Sequence, residues 1–260
     1  MQVIGEGALA KRMGPGFASR AGIESALLAQ RGITGATNFF EGEVGFYDLY
    51  CSKSTHGDIA KLVDRLGQKF ENEDISLKPY PCGVVNHTAI EAALILATKY
   101  YIKPADVARI MVYTGEGSYI LCQPLERKRH PQNAVEAQFS IPWSVATALA
   151  KRRACIDDYT SKATADPTVN NLTSKLEAEI DPSLSGGTIE PARVSITLNG
   201  GTKLTEQVDI PDIPRGSPGK PFTPAEVRKK LEDCNSVSLK PFSGGRLDEI
   251  INCHSKTRRA

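Results

Sequence analysis

The sequence predicts an α+β fold in which an α/β segment is inserted between two pieces of a helical domain. Apolar residues recur at helical spacing between residues 18 and 97, and they alternate as in β-strands between residues 107 and 208. Helical signals return after the Thr-Pro pair at 223. Helices that flank a block of mixed strands and helices are typical of this class.

The sequence pattern in the first part of the chain predicts two helices separated by turns. Residues 18–31 have apolar side chains at helical spacing, and Gly32 is a natural stop. A turn-rich stretch follows over residues 32–45. Ser54 or Thr55 is expected to cap the second helix. The apolar face of that helix consists of Ile59, Leu62, Val63, Leu66 and Phe70.

A third helix is expected to begin at Asn86, whose side chain is of the capping type. Its inward residues are Ile90, Ala93, Leu94 and Ala97. The period then changes to two over residues 107–113, where Ala108, Ile110 and Val112 alternate with Arg109 and Met111. This alternation predicts a strand. Residues 193–208 are expected to form a hairpin around Asn199-Gly200-Gly201.

Further helices are expected over residues 140–150 and from Asp166-Pro167 to about Leu176. Residues 211–221 contain four prolines and are therefore expected to form a loop or linker. The Thr-Pro pair at 223 satisfies the rule for a helix start, and that helix should continue to about Asp233. A last short helix is expected over residues 245–253.

The composition is that of an ordinary globular protein, with 40% hydrophobic and 24% charged residues. The net charge of +2 gives no reason to expect nucleic acid as a partner. Six cysteines are scattered without a CxxC pair, so neither zinc nor a redox motif is indicated, and reduced thiols in the cytoplasm are expected. No apolar run approaches the roughly 20 residues that span a bilayer, so no membrane association is expected.

The first ten residues contain a loose dinucleotide-binding pattern, formed by Gly5, Gly7 and Ala10. Its context does not support a nucleotide site. A strand that ends at Ile4 would be very short, and Gly14-Pro15-Gly16 should break the helix that ought to follow. A small-residue helix segment packed against a neighbour is the favoured interpretation, and a strand ahead of Gly5 would contradict it.

Two stretches place lysine where a carboxylate is readily held. Lys11 and Arg12 precede a Gly-Pro-Gly segment, expected to be a turn, and a helix start, where backbone donors favour negative charge. The second stretch runs from Lys78 to His87 and reads Lys-Pro-Tyr-Pro-Cys-Gly-Val-Val-Asn-His. Its two prolines fix an extended backbone that ends at a helix N-terminus, so Lys78, Tyr80 and His87 should be presented by a rigid loop.

Each of these side chains also has a purely structural interpretation. Most lysines are solvated, and Tyr80 is also compatible with a core aromatic whose hydroxyl is hydrogen-bonded. His87 can pair with Glu91 one helical turn later. Cys82 is expected to be a small buried residue rather than a nucleophile. For Ser140 and Ser144, capping and packing at a helix start is the alternative.

These stretches resemble the MmgE/PrpD family. The Lys11 segment continues into Ala21-Gly22-Ile23-Glu24-Ser25-Ala26-Leu27-Leu28-Ala29-Gln30-Arg31-Gly32, which looks like a helix and turn of that family. Phe40-Glu41-Gly42 and Phe139-Ser140-Ile141-Pro142-Trp143-Ser144 resemble two more signatures, and the Lys78–His87 stretch is the most specific match. Order and spacing agree over most of the chain.

The resemblance implies cofactor-free lyase or isomerase chemistry next to a carboxylate of a small di- or tricarboxylic acid. By position, Lys11 and Lys78 are similar to catalytic lysines of the family, and both can stabilise the enolate-like charge that develops. The substrate-binding residues implied are Arg12, Tyr80, His87, Ser140 and Ser144. No metal is implied.

The resemblance also predicts how the chain is organised. It implies a partial helical domain over residues 1–76, an α+β lid domain over 77–210 and a return to the helical domain over 211–260. Family members are longer, and their N-terminal helical region supplies further active-site residues. We therefore expect a homodimer or a missing N-terminal helical half to complete the site, or else a truncated, non-catalytic remnant or one chain of a split enzyme.

Two positions depart from the decarboxylase-like members of the family. Those members have a histidine three residues after the first lysine and another five residues after the second. This chain has Gly14 and Gly83 there. The departures argue against cis-aconitate decarboxylation and fit a less characterised or epimerase-like branch better.

Overall fold

The computed structural model describes residues 8, 10–51, 63–70, 72, 75–187, 189–209, 216 and 220–257, with side chains up to 252. The described chain divides into two compact units, residues 10–75 and residues 76–257. No described helix is long and apolar enough to cross a membrane. The first glycines of the dinucleotide pattern, Gly5 and Gly7, lie outside the described residues, as does the strand that would precede them.

The described residues of the first unit include the helices α1 (Ala10–Gln30) and α2 (Phe46–Tyr50). Helix α1 begins eight residues earlier than predicted and runs through Gly14-Pro15-Gly16, so the expected turn there is wrong. Proline removes only one backbone donor, and the glycines on either side have no Cβ to crowd the chain, so the helix continues. The predicted stop is confirmed, because Gly32 has a φ of +89°.

The helix predicted over residues 54–70 lies mostly outside the described residues. Its described end, residues 63–70, consists largely of turns. Arg65 and Gly67 have φ angles of +52° and +78°, which no right-handed helix accommodates. The prediction is therefore wrong for this end of the segment.

The second unit is built around a four-stranded mixed sheet. Its strands are β1 (Val107–Thr114), β2 (Leu176–Ile180), β3 (Ala192–Leu198) and β4 (Lys203–Val208). The order across the sheet is β2-β1-β3-β4. Strand β1 pairs parallel with β2 and antiparallel with β3, and β3 forms the predicted hairpin with β4.

Helices of the second unit pack on the sheet, and two more described helices follow its last strand in the chain. They are α3 (His87–Lys99), α4 (Glu116–Tyr119), α5 (Leu125–Arg129), α6 (Ala134–Gln138), α7 (Ile141–Lys151), α8 (Pro167–Ser174), α9 (Pro224–Ser236) and α10 (Gly244–Thr257). Helix α3 packs on α7 and on strands β3 and β4, and α7 also packs on α8. The core of the unit lies between these elements and includes the fully buried Trp143, whose indole N–H donates to the Asp158 carbonyl at 3.1 Å.

One strand prediction and one helix prediction differ from the structure. The alternation groups Ala108 with Ile110 and Val112, but Ala108 is exposed while the other two are buried, and the pairing of β1 with β3 slips between Val107 and Arg109. The helix expected to reach Leu176 ends at Ser174, and Leu176 begins β2 instead. Parallel pairing of this segment with β1 outweighs the helical tendency of its glutamates.

The mixture of helices with a small mixed sheet agrees with the α+β class. The identity of the middle segment as a lid and the division at residues 76 and 210 stay predictions.

Candidate functional site

The candidate site is centred on the loop from Lys78 to His87, in the second unit. The ammonium group of Lys78 folds back and donates to the Cys82 carbonyl at 3.2 Å. Helix α6 fixes the loop twice: Gly83 N–H donates to the Gln138 carbonyl at 2.8 Å, and the Gln138 amide donates to the Pro81 carbonyl at 2.9 Å. The loop is therefore held in place, although Lys78 itself is exposed.

Asn86 anchors the end of the loop in a way that the sequence did not predict. Its side chain does not cap α3, because a 3₁₀ turn over Val84–Asn86 leads into that helix. The buried amide group instead donates to the Gln138 carbonyl and to the Ser144 hydroxyl, both at 3.1 Å. Asn86 thus ties the loop to α6 and α7.

Ser140 and Ser144 lie behind the loop, and both are fully buried. The Ser140 hydroxyl accepts from Trp143 N–H at 3.0 Å and donates to the Lys128 carbonyl at 2.6 Å, so Ser140 caps α7. The Ser144 hydroxyl accepts from Asn86 and from the Tyr159 hydroxyl, each at 3.1 Å. These contacts make both serines supports of the loop, and their contact with substrate stays a prediction.

Replacing Asn86 with alanine is expected to lower the free energy of unfolding by about 2 kcal/mol, because buried acceptors lose their donor. Urea denaturation measures the change. Asn171→Ala, at an exposed position of α8, is the matched control and should change stability by less than about 0.5 kcal/mol. Equal losses in the two variants would contradict the anchoring role of Asn86.

Tyr80, His87 and Glu91 form the polar face of the loop and of the first turns of α3. The Tyr80 hydroxyl donates to the Glu91 carboxylate at 2.7 Å, and the alternative pairing of His87 with Glu91 is not formed. The rings of Tyr80 and His87 meet edge to face, with their centroids 5.3 Å apart. Glu91 is therefore a site residue whose role the sequence did not indicate.

His87 is fully buried, and neither ring nitrogen has a hydrogen-bond partner among the described residues. Burial lowers its pKa to about 4, and the charges of Lys78 and Lys230 act in the same direction. The backbone of Tyr80 has a smaller effect that raises the pKa, although it does not form a hydrogen bond with either ring nitrogen. At neutral pH the imidazole is uncharged, with one nitrogen able to donate and the other to accept.

Cys82 lies on the same loop but has the properties of a structural residue. Burial raises the pKa of its thiol to about 12, against smaller opposing effects of Tyr159 and Lys78. The thiol is therefore protonated at neutral pH, which makes it a poor nucleophile. This agrees with the expectation of a small buried residue.

A groove of about 1040 Å³ opens beside the loop. Its walls are the Pro79–Pro81 segment, α3, residues 152–156, the end of β4 and α9. The charged side chains that line it are Glu91, Arg152, Arg153, Glu206, Lys220, Glu226, Lys229, Lys230 and Asp233. Tyr80 lines the groove as well, so the predicted loop contributes directly to its wall. Its size accommodates a small organic acid.

Lys230 reaches the candidate site from α9. Its ammonium group donates to the Lys78 carbonyl at 2.9 Å. No local sequence signal indicates this contact, because the two residues are 152 positions apart. Lys230 is thus a second site residue that sequence reasoning missed.

Lys11 and Arg12 lie on the first turn of α1, in the first unit, and both are exposed. The expectation that Lys11 and Lys78 point into one cleft stays a prediction. Within the described residues, no group of three histidine, cysteine or carboxylate side chains is arranged to hold a metal ion.

Comparison with known proteins places the mixed sheet and its flanking helices in one family. Residues 80–255 match the MmgE/PrpD C-terminal domain, and residues 1–57 match the MmgE/PrpD N-terminal domain. The chain belongs to the MmgE/PrpD family, and it carries sequence from both of the family's domains.

Curated relatives include enzymes of two named activities. A cis-aconitate decarboxylase of Homo sapiens is 24% identical over 200 residues, which are 75% of this chain and 40% of the relative. A cis-aconitate decarboxylase of Aspergillus terreus is 25% identical over 79% of this chain and 44% of its own length. A 2-methylcitrate dehydratase of Cupriavidus necator is 29% identical over 74% and 40%. The matches span less than half the length of these relatives.

Proposed function

We propose that the chain is a lyase or isomerase that acts by proton abstraction or elimination next to a carboxylate of a small di- or tricarboxylic acid. The main support is the composition of the Lys78 loop: it carries a cation, a tyrosine hydroxyl and a neutral, unpaired imidazole, and its tyrosine lines a groove of suitable size. Membership in the family and the activities of the curated relatives point in the same direction.

The residues of the loop suit distinct parts of such a reaction. The Lys78 ammonium neutralises a substrate carboxylate and stabilises the negative charge that develops when the adjacent C–H bond breaks. Lys11 has the corresponding role, with Arg12 beside it. Tyr80 and His87 bind substrate oxygens, because an uncharged imidazole and a hydroxyl both offer directional hydrogen bonds. Ser140 and Ser144 complete the proposed set. No cofactor takes part, and a lysine desolvated among other cations serves as the acid or base.

Position 83 favours elimination or epimerisation over decarboxylation of cis-aconitate. Gly83 is buried, and a Cβ there would lie 3.2 Å from the ring of Phe139 and 3.5 Å from Leu121. A histidine at this position, as in decarboxylase-like members, would require both neighbours to move. The packing around this position therefore favours glycine in this chain.

The second candidate function is that of a chain without activity of its own. Such a chain is either active only with a further helical partner or a non-catalytic remnant. In the first unit, Gly45 is the sole buried residue among those that the structure describes. Exposed apolar side chains on α1 include Met13, Phe17, Ile23, Leu27 and Leu28. A homodimer in the cytoplasm is the setting that we propose for the active form, since a second copy offers a surface for such residues.

The direct test is to incubate the purified, folded chain in D₂O with citrate-like and succinate-like acids. Proton exchange, epimerisation or formation of an alkene is followed by ¹H NMR. We expect at least one acid to exchange its α-proton or to lose water. A folded chain that leaves every acid unchanged would contradict independent activity and favour the second candidate.

A further inference from the structure

Lys230 contacts the candidate site from the C-terminal part of the chain. The residue is half-buried, and its ammonium group donates to the backbone carbonyl of Lys78 at 2.9 Å. Because an ammonium group carries three N–H donors, this bond leaves further donors for a ligand. Lys230 also lines the groove, together with Tyr80 and Glu91.

The ammonium groups of Lys78 and Lys230 both act on the surroundings of His87. The charges of Lys78 and Lys230 both disfavour protonation of His87, so both groups lie within electrostatic range of its ring. The Glu91 carboxylate accepts a hydrogen bond from Tyr80, which directs one of its oxygens towards the loop. A ligand with two carboxylates has one anionic group for each of the two ammonium groups.

We infer that Lys230 is a substrate-binding residue of this site, which takes the second carboxylate of a di- or tricarboxylic acid while Lys78 holds the carboxylate next to the reacting carbon. The inference rests on the proposed function. It adds a specificity determinant, because a monocarboxylic acid has no group for Lys230 to bind. Helix α9 thereby contributes to recognition.

The test compares Lys230→Gln with Lys230→Arg and with Lys240→Gln. Glutamine keeps a donor for the Lys78 carbonyl but removes the charge, whereas arginine keeps the charge. Lys240 is exposed and does not line the groove, so its variant is the matched control. Calorimetry measures binding of citrate, succinate and acetate to each protein. We expect Lys230→Gln to weaken citrate and succinate binding about tenfold and to leave acetate binding unchanged.

A second measurement separates ligand binding from a purely structural tie. NMR titration of His87 should give a higher pKa in Lys230→Gln than in the natural chain, and no change in Lys240→Gln. Unchanged citrate binding in Lys230→Gln would overturn the inference alone, and so would an equal loss of affinity for all three acids. Failure of the natural chain to bind any of the acids would overturn the proposed function together with it.

Discussion

Replacing Lys78 with glutamine is expected to lower kcat/KM for the chain's carboxylic acid substrate by about 100-fold. The reason is that glutamine keeps a donor but removes the charge, which we propose stabilises the anion that develops in the transition state. Steady-state kinetics with the acid identified by exchange in D₂O measures the effect. Most of the loss should appear in kcat, since an interaction that strengthens in the transition state mainly affects that constant.

Matched variants distinguish this role from a structural one. Lys78 is exposed and its single described side-chain bond goes to the Cys82 carbonyl, so Lys78→Gln should change the free energy of unfolding by less than about 1 kcal/mol. Lys103→Gln also removes an exposed charge, elsewhere in the second unit, and should leave kcat/KM unchanged. A Lys78→Gln protein that retains full kcat would exclude Lys78 as a catalytic residue.

Local sequence signals predicted several of the helix starts and stops of this chain. Asp166 and Thr223 cap α8 and α9, and Thr223 forms a reciprocal capping box with Glu226. Gly32 ends α1 as predicted. Such signals depend on residues within three or four positions of one another, and they are therefore visible in the sequence itself.

Contacts between distant segments determined what the sequence did not indicate. Strand β2 exists because it pairs with β1, about 66 residues earlier in the chain. Asn86 has a side chain of the capping type, but its amide group donates to the Ser144 hydroxyl on α7 instead. The candidate site divides in the same way: the loop could be predicted from its two prolines, whereas the approach of Lys230 to it could not.

Acidification is expected to destabilise the second unit through His87, most strongly between pH 6.5 and 4. The pKa of the buried imidazole is about 4 in the folded chain and 6.5 when it is unperturbed. Between these values the unfolded chain binds more protons than the folded chain, so stability falls as the pH falls. The full difference corresponds to about 3 kcal/mol at or below pH 4, and it vanishes above pH 6.5.

His87→Leu isolates this effect from the carboxylates that titrate in the same range. The variant removes two unpaired buried nitrogens, so at pH 7.5 it should be as stable as the natural chain or more stable by about 1 kcal/mol. Urea denaturation from pH 7.5 to 4 should show its advantage increasing by about 3 kcal/mol. Substrate binding should weaken in the same variant, because we propose that the His87 imidazole forms a hydrogen bond with the substrate. A stability difference that does not vary with pH would contradict the buried neutral state, and unchanged substrate binding would remove His87 from the site.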